Sequence, residues 1–374
     1  MTEIFYSLIS KALGIPARQV EKTMGLLDEG ATIPFISRYR KEVTGGLDEV
    51  QIGDINDHYG KLKEVSKRKE TILASIDEQG KLTPELKKRI ETSWDSTELE
   101  DIYLPYKPKR QTKAEIARKK GLEPLATLLM LQTAQDSTKA ASPYVKGEVK
   151  DVREALQGAR DIIAEWVNED EQARNTVRNS FSRTAVISSK VVKGKEEEGS
   201  KYRDYFDFSE PLNRCSSHRL LALRRGEAEG FLRVSISPDA EGCIERLNRR
   251  FVKGRSDTSA QVEEAVGDSF KRLLKPSIET EFATMTKEKA DEEAIRVFAS
   301  NLKDLLMAAP AGMKATMGLD PGIRTGVKVA VVDATGKLVA THTVYPFEPR
   351  RQYDQAIEII HALCKQHHVG LVSI

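Results

Sequence analysis

The sequence predicts a mainly α-helical chain that passes, over residues 315–374, into the opening of an α/β domain. Apolar residues recur at three- and four-residue spacing through most of residues 1–314, the mark of amphipathic helices. From Lys314 onward the period drops to two, and the links between apolar runs are short and glycine-bearing, as in hairpins. Composition agrees: 31% of the 374 residues are charged and 6% aromatic, which fits a folded, helix-rich protein and not a disordered one.

The formal net charge of +2 is too small for a global field, so any affinity for a polyanion must come from local patches. Cys215, Cys243 and Cys364 are far apart and form no CxxC pair. That spacing argues against a zinc site or a disulfide framework and for a reducing, cytoplasmic setting. The opening "MTEIFYSLISKALG" lacks the basic start and long apolar core of an export signal, and no stretch has the length of a membrane span. The six histidines show no metal-ligand spacing, so neither a metal nor a cofactor is expected.

Ile4, Leu8 and Leu13, then Val20, Met24 and Leu27, mark two short helices separated by Gly14-Ile15-Pro16. Ile52, Ile55, Tyr59, Leu62, Val65, Ile72 and Ile76 form one stripe from Leu47 to Gln79. Such a helix would be about 50 Å long and brace several neighbours. Gly80 stops it and Pro84 starts the next. Residues 133–150 read as a surface loop, "VREALQGARDIIAEWV" as a helix, and "SHRLLALRRGEAEGFLRVSIS" as helix, turn and strand. "NRRFVKGRSDTS" reads as a basic loop. Helix returns from Ser259 to Met307, with Ile295, Phe298, Leu302 and Leu305 or Leu306 on one side. Then "KATMGLD", "VKVAVVD" and "KLVATHTVY" read as three antiparallel strands, followed by a helix near 351–368 and a buried parallel strand, "VGLVSI". A parallel strand normally has both faces covered, so the chain is expected to be part of a longer protein.

Three antiparallel strands, a helix and a parallel strand are the opening order of the ribonuclease-H-like fold, in which an acid on the first strand helps to hold catalytic divalent ions. Asp320, in "MGLDPGIRTG", occupies that place. Asp333 ends the second strand, at the far end of the hairpin and roughly 20 Å away at about 3.3 Å per residue. Asp320 is therefore a lone, vestigial carboxylate, a nuclease ligand completed elsewhere, or punctuation before a tight Pro-Gly turn. A phosphate grip by Gly322, Arg324, Thr325 and Gly326 is a further reading.

The segments "LLDEGATIPFISRYRKEVTGGLDE" (26–49), "LEDIYLPYKPKRQTKAEIARKKGLEPLA" (99–126), "GKEEEGSKYRDYF" (194–206), "SSHRLLAL" (216–223) and the run from Asp291 to Ala340 cover much of the chain in order. They closely resemble the bacterial Tex family of transcription accessory proteins. The resemblance implies an N-terminal helical region (1–190), a central region with a helix-turn-helix element (191–314) and a partial YqgF-type, ribonuclease-H-like domain (315–374). It also implies that helix-hairpin-helix and RNA-binding OB-fold modules follow in the whole family protein, and that the YqgF-type domain lacks a complete nuclease site.

Three basic segments could contact a nucleic-acid backbone. "YLPYKPKRQTKAEIARKK" carries Lys107, Lys109, Arg110, Lys113, Arg118, Lys119 and Lys120 against Glu115, and Tyr106 could stack on an unpaired base. "SRYRKEVTGG" carries Arg38, Arg40 and Lys41 around Tyr39, with Glu42 and Asp48 near enough to pair with them instead. "RLNRRFVKGR" adds Arg249, Arg250, Lys253 and Arg255. The expected function is an RNA- or DNA-binding scaffold without catalysis in this chain. The alternatives are a metal-dependent nuclease completed beyond residue 374 and a module that docks on the transcription machinery.

Overall fold

A computed structural model of the protein describes residues 2–108, 111–322, 325–348 and 350–374. It divides into two compact units, Met1–Glu292 and Glu293–Ile374.

In the first unit the periodic run beginning near Leu47 forms the helix Glu49–Glu78. Its start is set by a capping box: Asp48 accepts from Gln51 N at 2.8 Å, and Gln51 Oε1 accepts from Asp48 N at 3.1 Å. The helix serves two cores, as its uninterrupted stripe predicts. Ile52, Ile55 and Tyr59 pack with Phe5, Ile9, Val20, Met24 and Ile36. Ile72 and Ile76 pack with Ile90, Leu99, Ile102 and Tyr103. A third core surrounds the helix Val152–Glu169, which buries Ala155, Ala159, Ile162, Ile163 and Val167 against the helices Lys113–Lys119, Glu123–Leu131 and Asp257–Ser269.

Helix Glu171–Thr184 then leads to a three-stranded antiparallel sheet with β1 (Val186–Val191) between β2 (Asp207–Pro211) and β3 (Leu232–Ser237). Helix Ser217–Ala228 precedes β3, matching the expected helix, turn and strand. Beside this sheet the Cys215 thiol is pushed up to about 12 by burial and by the nearby Glu210 carboxylate. Only the thiolate attacks alkylating agents. Iodoacetamide at pH 7.5 is therefore expected to label Cys215 about a hundredfold or more slowly than an unstructured cysteine peptide. A rate equal to the peptide's, read by mass spectrometry, would contradict this placement.

The expected basic loop at 248–259 is helical through Phe251: the helix Ala240–Phe251 is capped by Asp239, which accepts from Gly242 N at 3.1 Å. Its apolar residues recur at helical spacing, with Cys243 and Leu247 fully buried and Ile244 and Phe251 packed against the same core. Residues 252–256 join it to the helix Asp257–Ser269, and the two helices pack together as a helix-turn-helix pair. Gln132 clamps the connection, donating to Phe251 O at 2.7 Å and accepting from Lys253 N at 2.7 Å.

One charged cluster is deeply buried. Asp101, on the helix Ser96–Tyr103, accepts from Arg174 Nε at 2.6 Å and from Arg178 Nη2 at 2.9 Å. Arg178 also reaches Glu281 at 2.7 Å, and Arg174 reaches Ser277 at 3.2 Å, both on the helix Lys275–Leu306. Burial opposes the Arg178 charge, but hydrogen bonds to Asp101 and Glu281 overcome that cost and hold its guanidinium above its ordinary range.

In the second unit β4 (Thr316–Gly322), β5 (Gly326–Val332) and β6 (Leu338–Val344) form an antiparallel meander. The helix Tyr353–Gln366 leads to β7 (Leu371–Ser373), which pairs in parallel with β4 and gives the order β6-β5-β4-β7. Met317, Val327, Val329, Val331 and Val344 pack with Ala356, Ile360 and Leu363 of that helix, as the period-two pattern predicts. The stripe formed by Ile295, Phe298, Leu302, Leu305 and Leu306 is exposed. Among the described residues no helix is long and apolar enough to cross a membrane.

Candidate nucleic-acid interface

The segment 33–46 is built from a short helix, Ile33–Tyr39, with Pro34 in its first turn, and a single further turn, Lys41–Thr44. Ile36 is fully buried and anchors the segment in the core around Ile52 and Ile55. The chain turns away through Gly45 and Gly46, both at positive φ (72° and 84°), where glycine has no steric penalty. At Gly45 a Cβ would also lie 2.2 Å from Gln19 Nε2, which donates to Gly45 O at 3.2 Å.

Arg38, Tyr39, Arg40 and Lys41 are all exposed. The expected pairing of Arg38 and Arg40 with Glu42 and Asp48 does not form, and none of the three cations has an ion pair among the described residues. Asp48 is occupied as the cap of the long helix, so its carboxylate is committed to a backbone N–H. Arg40 instead donates to Tyr39 O at 3.3 Å and sits 5.2 Å from the centre of the Phe35 ring. Phe35, which sequence reasoning passed over, lies one helical turn before Tyr39. That i, i+4 spacing, just after Pro34, was the signal that could have found it.

The strip at 103–120 is arranged differently. Tyr106 is half-buried against the core around Ile72 and Ile90, and its carbonyl accepts from Gln79 Nε2 at 2.7 Å. Lys107 and Lys113 are exposed at a cavity of about 360 Å³ that also includes Asp161, Glu165 and Arg272. Burial raises the Asp161 carboxyl, and the nearby Arg272 and Lys113 partly offset this. Arg118 is bound by Glu165 at 2.5 Å and by Glu123 at 3.4 Å, and Lys120 by Glu154 at 2.5 Å. Acids from helices distant in sequence therefore neutralise the rear of the strip. Lys109 and Arg110 lie outside the described residues, as does Arg324.

Arg249 is exposed and pairs with Glu245 one turn earlier at 2.5 Å. Arg250 is held by Asp170 at 2.8 Å and by Gln172. Its guanidinium fastens the helix Ala240–Phe251 to the start of Glu171–Thr184.

Asp320 sits near the end of β4, opposite Lys328 on β5, which in turn faces Thr343 on β6. It is exposed. Asp320, Lys328, Thr341, Thr343 and Ser373 line an open hollow of about 730 Å³ on the sheet. The β4–β5 register sets Thr316 against Val332, so Asp333 lies at the opposite end of the hairpin. Its carboxylate is used there: it accepts from Thr335 N at 2.8 Å, Thr335 Oγ1 at 2.7 Å and Lys337 N at 3.1 Å. Those bonds hold the carboxyl below its ordinary range. Among the described residues no three His, Cys, Asp or Glu side chains are grouped as metal ligands would be. Gly326 (φ 88°) answers to backbone and packing demands, since a Cβ there would lie 2.5 Å from the Tyr345 ring.

Residues 3–77 match the family described as Tex-like protein N-terminal domain, residues 132–298 the Tex central region-like family, and residues 314–374 the Tex protein YqgF-like domain. The chain is 45% identical over 382 residues to Protein tex of Bordetella pertussis, covering 98% of this chain and 48% of that protein. To the transcriptional accessory protein Tex of Neisseria gonorrhoeae it is 43% identical over 373 residues, with 98% and 49% covered. The human S1 RNA-binding domain-containing protein 1 is 30% identical over 337 residues, covering 86% of this chain and 34% of that protein. The chain thus spans about half the length of the bacterial relatives it matches. With its N-terminal, central and YqgF-like regions all matched in order, the chain belongs to the Tex family.

Proposed function

We propose that this chain is a cytoplasmic nucleic-acid-binding scaffold of a Tex-type transcription accessory factor, gripping RNA or DNA through its phosphates without chemistry of its own. The observation that carries this reading is the set of adjacent, exposed cations Arg38, Arg40 and Lys41, which have no carboxylate partner among the described residues. Where the other basic strips face acids, the structure pairs them off, as at Arg118, Lys120 and Arg250. Unpaired cations on a rigid segment are free to replace counterions along a phosphate backbone. Lys107 and Lys113 extend the same capacity beyond this segment.

Charge reversal at Arg38, Arg40 and Lys41 together is the direct test, with binding to labelled RNA followed by fluorescence anisotropy across a salt series. Weaker binding and a flatter log-affinity against log-salt line are expected, the slope falling by about 0.7 for each single-strand phosphate that the variant no longer neutralises. No binding by the parent chain at low salt, or an unaltered slope in the variant, would remove the proposal.

A further inference from the structure

The same segment carries more than charge. Phe35 is 40% exposed and Tyr39 64% exposed, although both belong to a helix whose other side buries Ile36 and Ser37. Their ring centres lie 5.5 Å apart with the planes inclined at 45°. Large aromatic rings normally bury most of their surface, so two neighbouring rings left open to water mark a contact surface. The helix holds them rigidly: Ile36 is locked in the core, Ser37 Oγ donates to Pro34 O at 3.1 Å, and Thr44 Oγ1 donates to Arg40 O at 3.3 Å. Arg40 lies 5.2 Å from the Phe35 ring centre, and Arg38 and Lys41 flank Tyr39 and Arg40 in sequence, with Glu42 the next residue.

We infer that Phe35 and Tyr39 form a stacking platform for unpaired bases of a single-stranded nucleic acid, whose phosphates are taken by Arg38, Arg40 and Lys41. This rests on the nucleic-acid reading above and narrows it to one strand form and one place. Base faces are hidden inside a duplex and available in a single strand, and every base offers a π-face, so such a platform selects strandedness and not sequence. The surroundings favour a polynucleotide over a protein. The segment offers ring faces and cations, and its exposed aliphatic side chain close by in sequence is Val43, at 36%. The Arg40 guanidinium already lies over Phe35, so Tyr39 presents the freer ring and is the larger contributor.

The test measures affinity of the 374-residue chain for oligo(U) and for a duplex of equal length, by anisotropy at low salt, with Tyr39→Ala, Tyr39→Ala/Phe35→Ala and Tyr39→Phe. Tyr39→Ala is expected to weaken oligo(U) binding about tenfold and the double variant further. Duplex affinity should stay within about twofold, because the cations that meet the phosphates remain. Tyr39→Phe, which keeps the ring, should bind oligo(U) like the parent. Circular dichroism and the thermal midpoint check that these exposed substitutions leave the fold intact. Unchanged oligo(U) affinity in the double variant would overturn the platform while leaving the backbone reading standing, and would hand the rings to a protein partner. Equal losses for duplex and single strand would likewise overturn it. A parent chain that binds neither would overturn both readings.

Discussion

Asp101→Ala is expected to destabilise the first unit by about 3–5 kcal/mol, measured as a lowered midpoint in urea unfolding followed by circular dichroism. Asp101 is 5% exposed, Arg174 is 6% exposed, and the Arg178 side chain is partly buried, at 14%. Removing the carboxylate leaves Arg174 without its nearest anion and Arg178 with Glu281 as its remaining carboxylate among the described residues. The loss comes mainly from stranding buried charge and not from the attraction between the partners. Replacing Arg174 and Arg178 with methionine in the same variant should therefore recover much of it. A shift below about 1 kcal/mol for Asp101→Ala alone would mean that the buried cluster is not formed in solution.

Phe181→Ala is expected to cost about 3–5 kcal/mol by the same measurement. Phe181 is 1% exposed, and its ring centre lies 5.1 Å from that of Phe282, joining the helices Glu171–Thr184 and Lys275–Leu306. The alanine variant forfeits the transfer of a whole ring from water and leaves a cavity in a packed core. Phe181→Leu, which refills most of the volume, should lose markedly less. If both variants unfold at the parent's midpoint, this ring pair is not part of the cooperative core. Asp101→Ala and Phe181→Ala both act on the helix Glu171–Thr184, so their combined effect should depart from the sum of the two.

Local chemistry explains what was legible beforehand. The stripe from Ile52 to Ile76 gave the long helix because its spacing repeats without a breaker, and Gly80 and Pro84 marked its end and the next start. The alternation in "VKVAVVD" gave β5, but the expected Pro-Gly turn is not one: Pro321 and Gly322 belong to β4 and pair with Val327 and Gly326 in the hairpin that separates Asp320 from Asp333. The helix Ala240–Phe251 was missed because its basic last turn, Arg249-Arg250, runs on into the polar residues 253–259 and reads as one loop, whereas Cys243, Ile244, Leu247 and Phe251 pack on the core and Arg250 reaches Asp170. Phe35 was missed because an aromatic beside isoleucines in a short run reads as core.

The sequence by itself determined the order of helices and strands, the family, and the distance between the two acids of the first hairpin. The element order and the distance between the acids depend on period and turn chemistry over a few neighbouring residues, and the family on long segments that match in order. Only the tertiary structure decided which cations are free. Arg118, Lys120 and Arg250 find Glu165, Glu154 and Asp170 on other helices. Among the described residues Arg38 and Arg40 stay unpaired beside acids close in sequence, because Asp48 caps a helix. An ion pair needs its charges within about 4 Å, and beyond one helical turn that distance is set by packing, which residue spacing along the chain does not encode.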